Sequence, residues 1–184
     1  MCMPTTTQKD AVLMLLLGLE IGHEFLVGTL KTLRQNFGRF EESRVSRLIG
    51  QVLQATHYLH SFNIEAYDIK ASNVLTDTDG TAKLADYGFT ILLHLLLKKL
   101  SLEQPEEDIR AYWIAPENLS GDSISCDTRS DIWGIGALTM ELFSANPPYW
   151  EETKGNIKEL KRLLEDKSSL PLQSTSYISN RNLI

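Results

Sequence analysis

The chain has 184 residues, 42% of them hydrophobic, so it is long enough to bury the core of one domain and too short for two. Its net charge is −6 with the acidic residues dispersed, which excludes a broad basic surface for nucleic acid or an anionic membrane. Cys2 and Cys126 lie far apart without zinc-type spacing. We therefore expect neither a disulfide framework nor a zinc site, and a reducing, cytoplasmic setting.

The first segment able to enter a core is the apolar run from Ala11 to Leu19, which is too short to span a bilayer. We predict a buried strand there, with residues 1–18 as an N-terminal remnant. A signal peptide is the alternative, although Lys9 is the single basic residue ahead of the run. The polar end, residues 173–184, is expected to fray.

Two helices are predicted next. A short one covers residues 29–38 and is stopped by Asn36 and Gly38. A long one runs from Glu41 to Phe62, where apolar residues recur at the spacing of one buried helical face. That face consists of Val45, Leu48, Ile49, Val52 and Leu59, with Ala55 and Tyr58 beside them.

Beyond the long helix, two short β-prone runs, NVL and AKLA, flank the segment TDTDGT. Its Asp79-Gly80 pair is a strong turn signal, so a small hairpin is predicted. The segment also has some character of a calcium loop. However, the position that needs a bidentate Glu holds Gly88, which favours a plain turn.

Two more helices close the predicted fold. Ser130 to Phe143 is apolar on nearly every face apart from its two acids, and we expect it at the centre of the domain, with its glycines allowing close packing. The last helix starts at Asn156, with Glu159 in capping-box spacing. It should bury Ile157, Leu160, Leu163 and Leu164.

The segment whose side chains can take part in catalysis is YDIKASN, from Tyr67 to Asn73, on a loop after the long helix. Asp68 and Asn73 are at most about 17 Å apart even when fully extended. We expect the hairpin to fold the chain back and to place Asp86 beside Asn73. The alternative is that Asp68, Asn73 and Asp86 are ordinary loop and turn formers.

A carboxylate and an amide oxygen suit Mg²⁺, which takes further ligands from phosphate. The residues therefore favour phosphoryl transfer, in which a carboxylate deprotonates the attacking hydroxyl and a cation offsets charge on the transferred phosphate. Asp68 and Lys70 match these two roles. Asn73 and Asp86 are the candidate metal ligands.

Four motifs follow one another along the chain in the same order as in a known family. They are YDIKASN, DYG, APE at Ala115 to Glu117, and DIWGIG at Asp131 to Gly136. They resemble serine/threonine protein kinases, most closely the mitogen-activated protein kinase kinase kinase group. The resemblance covers residues 19–172. It implies a mainly α fold, a protein-kinase-like C-lobe of the α+β class, built as a helical bundle with a small β-hairpin.

The resemblance implies a role for each matching residue. Asp68 would be the catalytic base and Lys70 a contact to the γ-phosphate of ATP. Asn73 and Asp86 would hold Mg²⁺. A lysine two places after Asp68 implies Ser or Thr hydroxyls as substrates.

More distant residues also receive roles from the resemblance. Glu24 and Phe25 fall where the hinge that binds adenine would lie. Asp131 would bond backbone N–H groups of the catalytic loop, and Glu117 would pair with an arginine beyond this chain.

The sequence departs from the family in three places. The glycine loop, strand lysine and helix glutamate are not found, so the N-lobe is expected to be almost entirely missing. Ala66 and Tyr67 replace a His-Arg pair, and IRAYW replaces Gly-Thr-Pro-Tyr-Trp after an apolar stretch at residues 89–100. We expect impaired activity, because each lost electrostatic or positioning element is commonly worth a factor of about 100 in rate.

Two functions follow. One is an enzyme that uses ATP and Mg²⁺ to phosphorylate a protein substrate. The other is a truncated pseudokinase that binds a partner protein, with self-association through exposed apolar surface at residues 89–100. Neither function involves nucleic acid or a membrane.

Overall fold

The computed structural model describes residues 26–85, 109–119 and 128–165. In chain order the elements are strand β1 (Leu26–Thr29), helix α1 (Leu30–Phe37), helix α2 (Glu42–Ser61), strands β2 (Val74–Asp77) and β3 (Ala82–Leu84), and helices α3 (Pro116–Leu119), α4 (Thr128–Ser144), α5 (Trp150–Thr153) and α6 (Ile157–Glu165). The predicted fold class, mainly helical with a small β element, is confirmed. Among the helices of these ranges, none is long and apolar enough to cross a membrane. The predicted strand at Ala11 to Leu19 and the apolar stretch at residues 89–100 lie outside the described residues.

Helix α2 occupies nearly the predicted range, and its buried face follows the predicted spacing. Val45, Leu48, Val52 and Leu59 are buried, and Ile49 is half-buried. Tyr58 is 65% exposed, so its placement beside the buried face was wrong.

Thr56 occupies the buried face of α2 in place of a further apolar residue. Its hydroxyl donates to the carbonyl of Val52 at 2.9 Å, which satisfies the buried donor without leaving the helix. A polar residue therefore sits in the core at no hydrogen-bonding cost.

The predicted hairpin is present as the antiparallel pair of β2 and β3. In its turn, Asp77 Oδ1 accepts the backbone N–H groups of Asp79 and Thr81 at 3.0 and 2.9 Å, and Gly80 adopts a φ of 77°. A side chain that closes its own turn in this way is an Asx turn. The carboxylate of Asp77 therefore has a structural role in a plain hairpin turn.

Strand β1 pairs with the other edge of β2, so the sheet has three strands in the order β1-β2-β3. The chain turns from β1 directly into α1 at Thr29. There the Thr29 hydroxyl accepts the N–H of Thr32 at 3.1 Å, and the Thr32 hydroxyl accepts the N–H of Thr29 at 3.2 Å. This reciprocal cap fixes where α1 begins.

Helix α4 lies at the centre, but it is not buried on every face. Ile132 is 55% exposed and Phe143 is 37% exposed, which corrects the expectation of complete burial. Close packing through a glycine is confirmed at Gly134, where a Cβ atom would lie 3.3 Å from the Cβ of Ile69. The loop after α2 therefore rests directly against α4.

The core divides into two clusters. The larger one joins α1, α2, the loop after α2 and α4, and consists of Leu30, Leu33, Phe40, Val45, Leu48, Val52, Leu59, Ala66, Ile69, Ala71, Val74, Ala82, Ile135, Leu138 and Leu142. The smaller one consists of Ala111, Tyr112, Tyr149, Ile157 and Leu160. Helix α6 contributes Ile157 and Leu160 to it as predicted, whereas Leu163 and Leu164 are only partly buried. Asn156 Oδ1 caps that helix by accepting the N–H of Glu159 at 3.2 Å.

Candidate active site

The loop between α2 and β2 is held to the core by its apolar side chains. Ala66, Ile69 and Ala71 are buried. The side chains between them, Asp68 and Lys70, are half-buried. This alternation fixes the backbone and leaves the carboxylate and the ammonium group accessible to solvent.

The structure brings three predicted site residues together. Lys70 Nζ lies 2.8 Å from Asp68 Oδ2, and Asn73 Nδ2 donates to the same oxygen at 3.0 Å. Asn73 Nδ2 also donates to the main-chain carbonyl of Asp68 at 2.9 Å. The Asp68 carboxylate is therefore oriented by two side chains of its own loop.

The amide of Asn73 is fixed by these two bonds, because both use its nitrogen. Its Oδ1 atom is the one that can offer lone pairs to a cation, and Ser72 Oγ approaches it at 3.4 Å. Asn73 is 8% exposed. A buried, oriented amide oxygen next to a carboxylate fits the ligand chemistry of Mg²⁺.

The hairpin returns the chain to this site. The backbone N–H of Ala85 donates to the carbonyl of Asn73 at 2.8 Å, and Val74 pairs with Leu84. Asp86, the second predicted metal ligand, lies outside the described residues, as do the hinge candidates Glu24 and Phe25. The described ranges contain no cluster of three or more His, Cys, Asp or Glu side chains that would hold a metal by itself.

Asp131 of α4 anchors the start of the loop, as the resemblance implied. Its side chain is 1% exposed. Oδ2 accepts the N–H of Ala66 at 2.9 Å and Oδ1 accepts the N–H of Tyr67 at 2.8 Å. Tyr67 has a φ of 64°, the left-handed region that a bulky residue rarely adopts. Asp131 therefore helps to hold an unfavourable backbone turn directly before Asp68.

His60 reinforces this anchor. Its Nε2 atom lies 2.7 Å from Asp131 Oδ2. His60 therefore has a structural role, whereas His57 is exposed.

Glu141 is a site residue that the sequence interpretation did not identify. It is 9% exposed, and its Oε2 atom accepts the N–H of Ala71 at 3.0 Å and the indole N–H of Trp113 at 2.9 Å. Burial raises the pKa of this carboxyl, while the two N–H donors and the charges of Lys31 and Lys70 oppose the rise. The sequence feature that could have identified Glu141 is an acidic residue inside an otherwise apolar helix.

The segment that precedes Ala115 is anchored on its other side by Tyr112. This side chain is almost fully buried, its ring packs 5.4 Å from that of Trp150, and its hydroxyl pairs with Thr153 Oγ1. The N–H of Gly155 also donates to the Tyr112 hydroxyl at 3.1 Å. The IRAYW segment is therefore fixed between α4 and the smaller core cluster.

Comparison with known proteins agrees with this geometry. A model of the protein kinase domain matches residues 5–182, so the chain belongs to the protein kinase domain family. Among its relatives are kinases of the mitogen-activated protein kinase kinase kinase type and a probable serine/threonine-protein kinase of Dictyostelium discoideum.

Three relatives illustrate the degree of similarity. Cell division control protein 7 of Schizosaccharomyces pombe is 38% identical over 67% of this chain and 11% of its own length. Cytokinesis protein sepH of Aspergillus niger is 38% identical over 67% of this chain and 9% of its own length. Mitogen-activated protein kinase kinase kinase mkh1 of Cytospora mali is 32% identical over 66% of this chain and 6% of its own length. The chain thus matches only a small part of each.

Proposed function

We propose that the chain transfers the terminal phosphate of Mg²⁺-bound ATP to a Ser or Thr hydroxyl of a protein. The observation that carries this proposal is the convergence of Lys70 Nζ and Asn73 Nδ2 on Asp68 Oδ2, at 2.8 and 3.0 Å. If Asp68 served only to form the loop, it would not need a buried amide and an ammonium group on one carboxylate oxygen. The arrangement suits a base that is oriented before the substrate arrives.

In the proposed reaction, the substrate hydroxyl oxygen forms a bond to the γ-phosphorus while the bond from that phosphorus to the bridging oxygen of ADP breaks. Asp68 takes the hydroxyl proton. Lys70, next to it, neutralises part of the charge on the transferred phosphate. The Asn73 bonds keep the Asp68 carboxylate in place throughout.

Mg²⁺ would be held by Asn73 Oδ1 and Asp86, and when bound it would neutralise charge on the β- and γ-phosphates. The bond from Ala85 N to the Asn73 carbonyl supports this assignment, since Ala85 directly precedes Asp86 in the chain. Glu24 and Phe25 are proposed to contact adenine. The protein substrate is a proposal from the family as a whole.

We expect a low rate of phosphate transfer. We do not expect this activity to be controlled by phosphorylation of an activation segment. Ala66 and Tyr67 stand where the family carries a His-Arg pair, so the basic residue that would bind such a phosphate is replaced. The bonds from Asp131 to the backbone of both residues support an alternative, in which the loop is held without phosphorylation.

The second candidate function is a protein-interaction module. One observation favours it: Tyr58 on α2 and Phe62, directly after this helix, are 65% and 54% exposed and pack edge to face with their ring centroids 5.0 Å apart. Exposed aromatic pairs of this kind occur in protein interfaces. This role does not require turnover.

The test measures transfer of labelled phosphate from ATP to a generic basic protein, comparing the full chain with Asp68→Asn. The amide can still accept the bond from Lys70 but cannot take a proton. We expect measurable transfer by the wild type and a loss of about 100-fold or more in the variant. Indistinguishable traces would remove the catalytic proposal and favour the interaction module.

A further inference from the structure

Glu141 is a buried acid on a helix whose neighbouring positions are apolar. Transfer of a carboxylate into a core is unfavourable unless hydrogen bonds compensate for the lost water. Glu141 obtains two such bonds, both to Oε2, from Ala71 N and Trp113 Nε1. Its position is therefore set by what it binds rather than by packing alone.

The two donors belong to segments far apart in sequence. Ala71 directly follows Lys70 and opens the 3-10 turn Ala71–Asn73, which carries the proposed metal ligand. Trp113 lies at the end of the IRAYW segment, two residues before Ala115. A single carboxylate oxygen therefore connects the loop that performs the chemistry to the segment that precedes Ala-Pro-Glu.

We propose that Glu141 is a positioning residue for phosphoryl transfer, which sets the distance between the catalytic loop and the segment that presents the protein substrate. This proposal rests on the proposed function. The hydrogen bonds of Glu141 go to Ala71 and Trp113, so we assign it no direct contact with substrate or nucleotide. It acts by holding Ala71, and with it Lys70 and Asn73, in register with Trp113.

A purely structural role would predict a different residue. Replacement of buried charged groups by apolar side chains of similar volume is often neutral or stabilising, so packing alone would favour Leu or Met at this position. The carboxylate is instead placed where the charge of Lys70 also acts on it. Lys70 is the residue that the proposed mechanism assigns to the γ-phosphate.

The test uses four single variants of the full chain and the double variant Glu141→Ala with Trp113→Phe, measured as kcat and as KM for ATP and for the protein substrate, normalised to the folded fraction. Glu141→Ala removes both bonds, Glu141→Gln keeps an oxygen that can accept them, and Trp113→Phe removes one donor. Glu165→Gln, at the exposed end of α6, is the matched control.

We expect Glu141→Ala to lower kcat by about 10- to 100-fold, because small displacements of catalytic groups cost rates of that order. KM for ATP should change by less than about twofold, because these bonds do not involve the nucleotide. Glu141→Gln should recover most of the loss. Trp113→Phe should lower kcat less, and should add nothing further in the Glu141→Ala background, because the shared bond is already gone.

Three outcomes would overturn the inference, and they are distinguishable. If Asp68→Asn abolishes turnover but Glu141→Ala retains the wild-type kcat, the proposed function stands and Glu141 has no positioning role. If Trp113→Phe and Glu141→Ala act additively, the connection between the two segments is refuted. If the wild type and Asp68→Asn are alike, the proposed function fails and this inference fails with it.

Discussion

The Asp131 carboxylate accepts three hydrogen bonds, from the N–H groups of Ala66 and Tyr67 and from His60 Nε2. Asp131→Ala would leave two backbone donors without this acceptor in a buried place. Each unsatisfied donor costs about 1–3 kcal/mol, so we predict a loss of about 2–6 kcal/mol in the free energy of unfolding. Urea denaturation followed by circular dichroism measures it.

His60→Ala is the graded comparison, since it removes one bond at a more exposed group. A loss of about 1 kcal/mol is expected there. Equal effects of the two substitutions would contradict the assignment of Asp131 as the anchor of the loop backbone.

The raised pKa of Glu141 should make the stability of the fold depend on pH. Burial raises its pKa above the ordinary 4.5, against the opposing charges of Lys31 and Lys70 and the N–H donors of Ala71 and Trp113. Between the ordinary and the raised pKa the folded state binds more protons than the unfolded state. The stability from this group is therefore full below about pH 4.5 and is lost as pH rises through the folded pKa.

The measurement is the free energy of unfolding of wild type and Glu141→Gln at several pH values from about 4 to about 7, spanning the ordinary carboxyl range and above. Glutamine does not titrate, so the stability of the variant relative to wild type should increase with pH. If the stability of the variant relative to wild type stays constant or decreases with pH, burial does not raise the pKa of this carboxyl.

Among the elements, the contact between α4 and the loop that joins α2 to β2 depends on Gly134. A Cβ atom there would lie 3.3 Å from Ile69 Cβ, whereas one at Gly136 would meet nothing within 4 Å. Gly136→Ala should raise the free energy of unfolding by about 0.5–1 kcal/mol through helix propensity. Gly134→Ala should be less stable than Gly136→Ala by about 1 kcal/mol or more, because overpacking opposes the gain.

Urea denaturation of the two variants tests this pair, with phosphoryl transfer as a second readout. Only Gly134→Ala displaces Ile69, so only it should lower the rate. Equal stabilisation by both substitutions would mean that α4 does not contact the loop so closely.

The elements with local signals were predictable from sequence. Helix α2 follows from the periodic spacing of Val45 to Leu59, the hairpin from Asp79-Gly80, and the start of α6 from Asn156. Asp68, Lys70 and Asn73 were also predictable as a group, because seven residues on one loop cannot separate widely.

Features set by distant contacts were not predictable in this way. Strand β1 is a strand because it pairs with β2, and its four residues carry no alternation that would indicate it. The exposure of Tyr58 and Ile132 depends on which helix faces meet other elements. Glu141 was counted as an acid on a central helix, but its partners, Ala71 and Trp113, are distant in sequence.

At the scale of the whole molecule, binding of Mg²⁺ and ATP should stabilise the fold by mass action. At a nucleotide concentration of 100 Kd the expected gain is about 2.7 kcal/mol. For a chain of this size that corresponds to a rise in Tm of about 5–10 °C. The measurement is a thermal-shift titration with Mg²⁺ and ATP.

ATP with a chelator in place of Mg²⁺ is the control, and it should give a smaller shift. Asn73→Ala should also reduce the shift by removing one proposed ligand. A Tm that does not respond to Mg²⁺ and ATP at any concentration would argue against the nucleotide site.

We propose that Asn73 and Asp86 share one metal position beside the Asp68 carboxylate. The most direct measurement is nuclear magnetic resonance of the full chain with ATP, with Mn²⁺ replacing Mg²⁺ as a paramagnetic probe. We expect selective broadening of the backbone signals of Asp68, Asn73 and Ala85, and we expect this broadening to be lost in Asp86→Ala. Broadening centred elsewhere, or unchanged by Asp86→Ala, would contradict it.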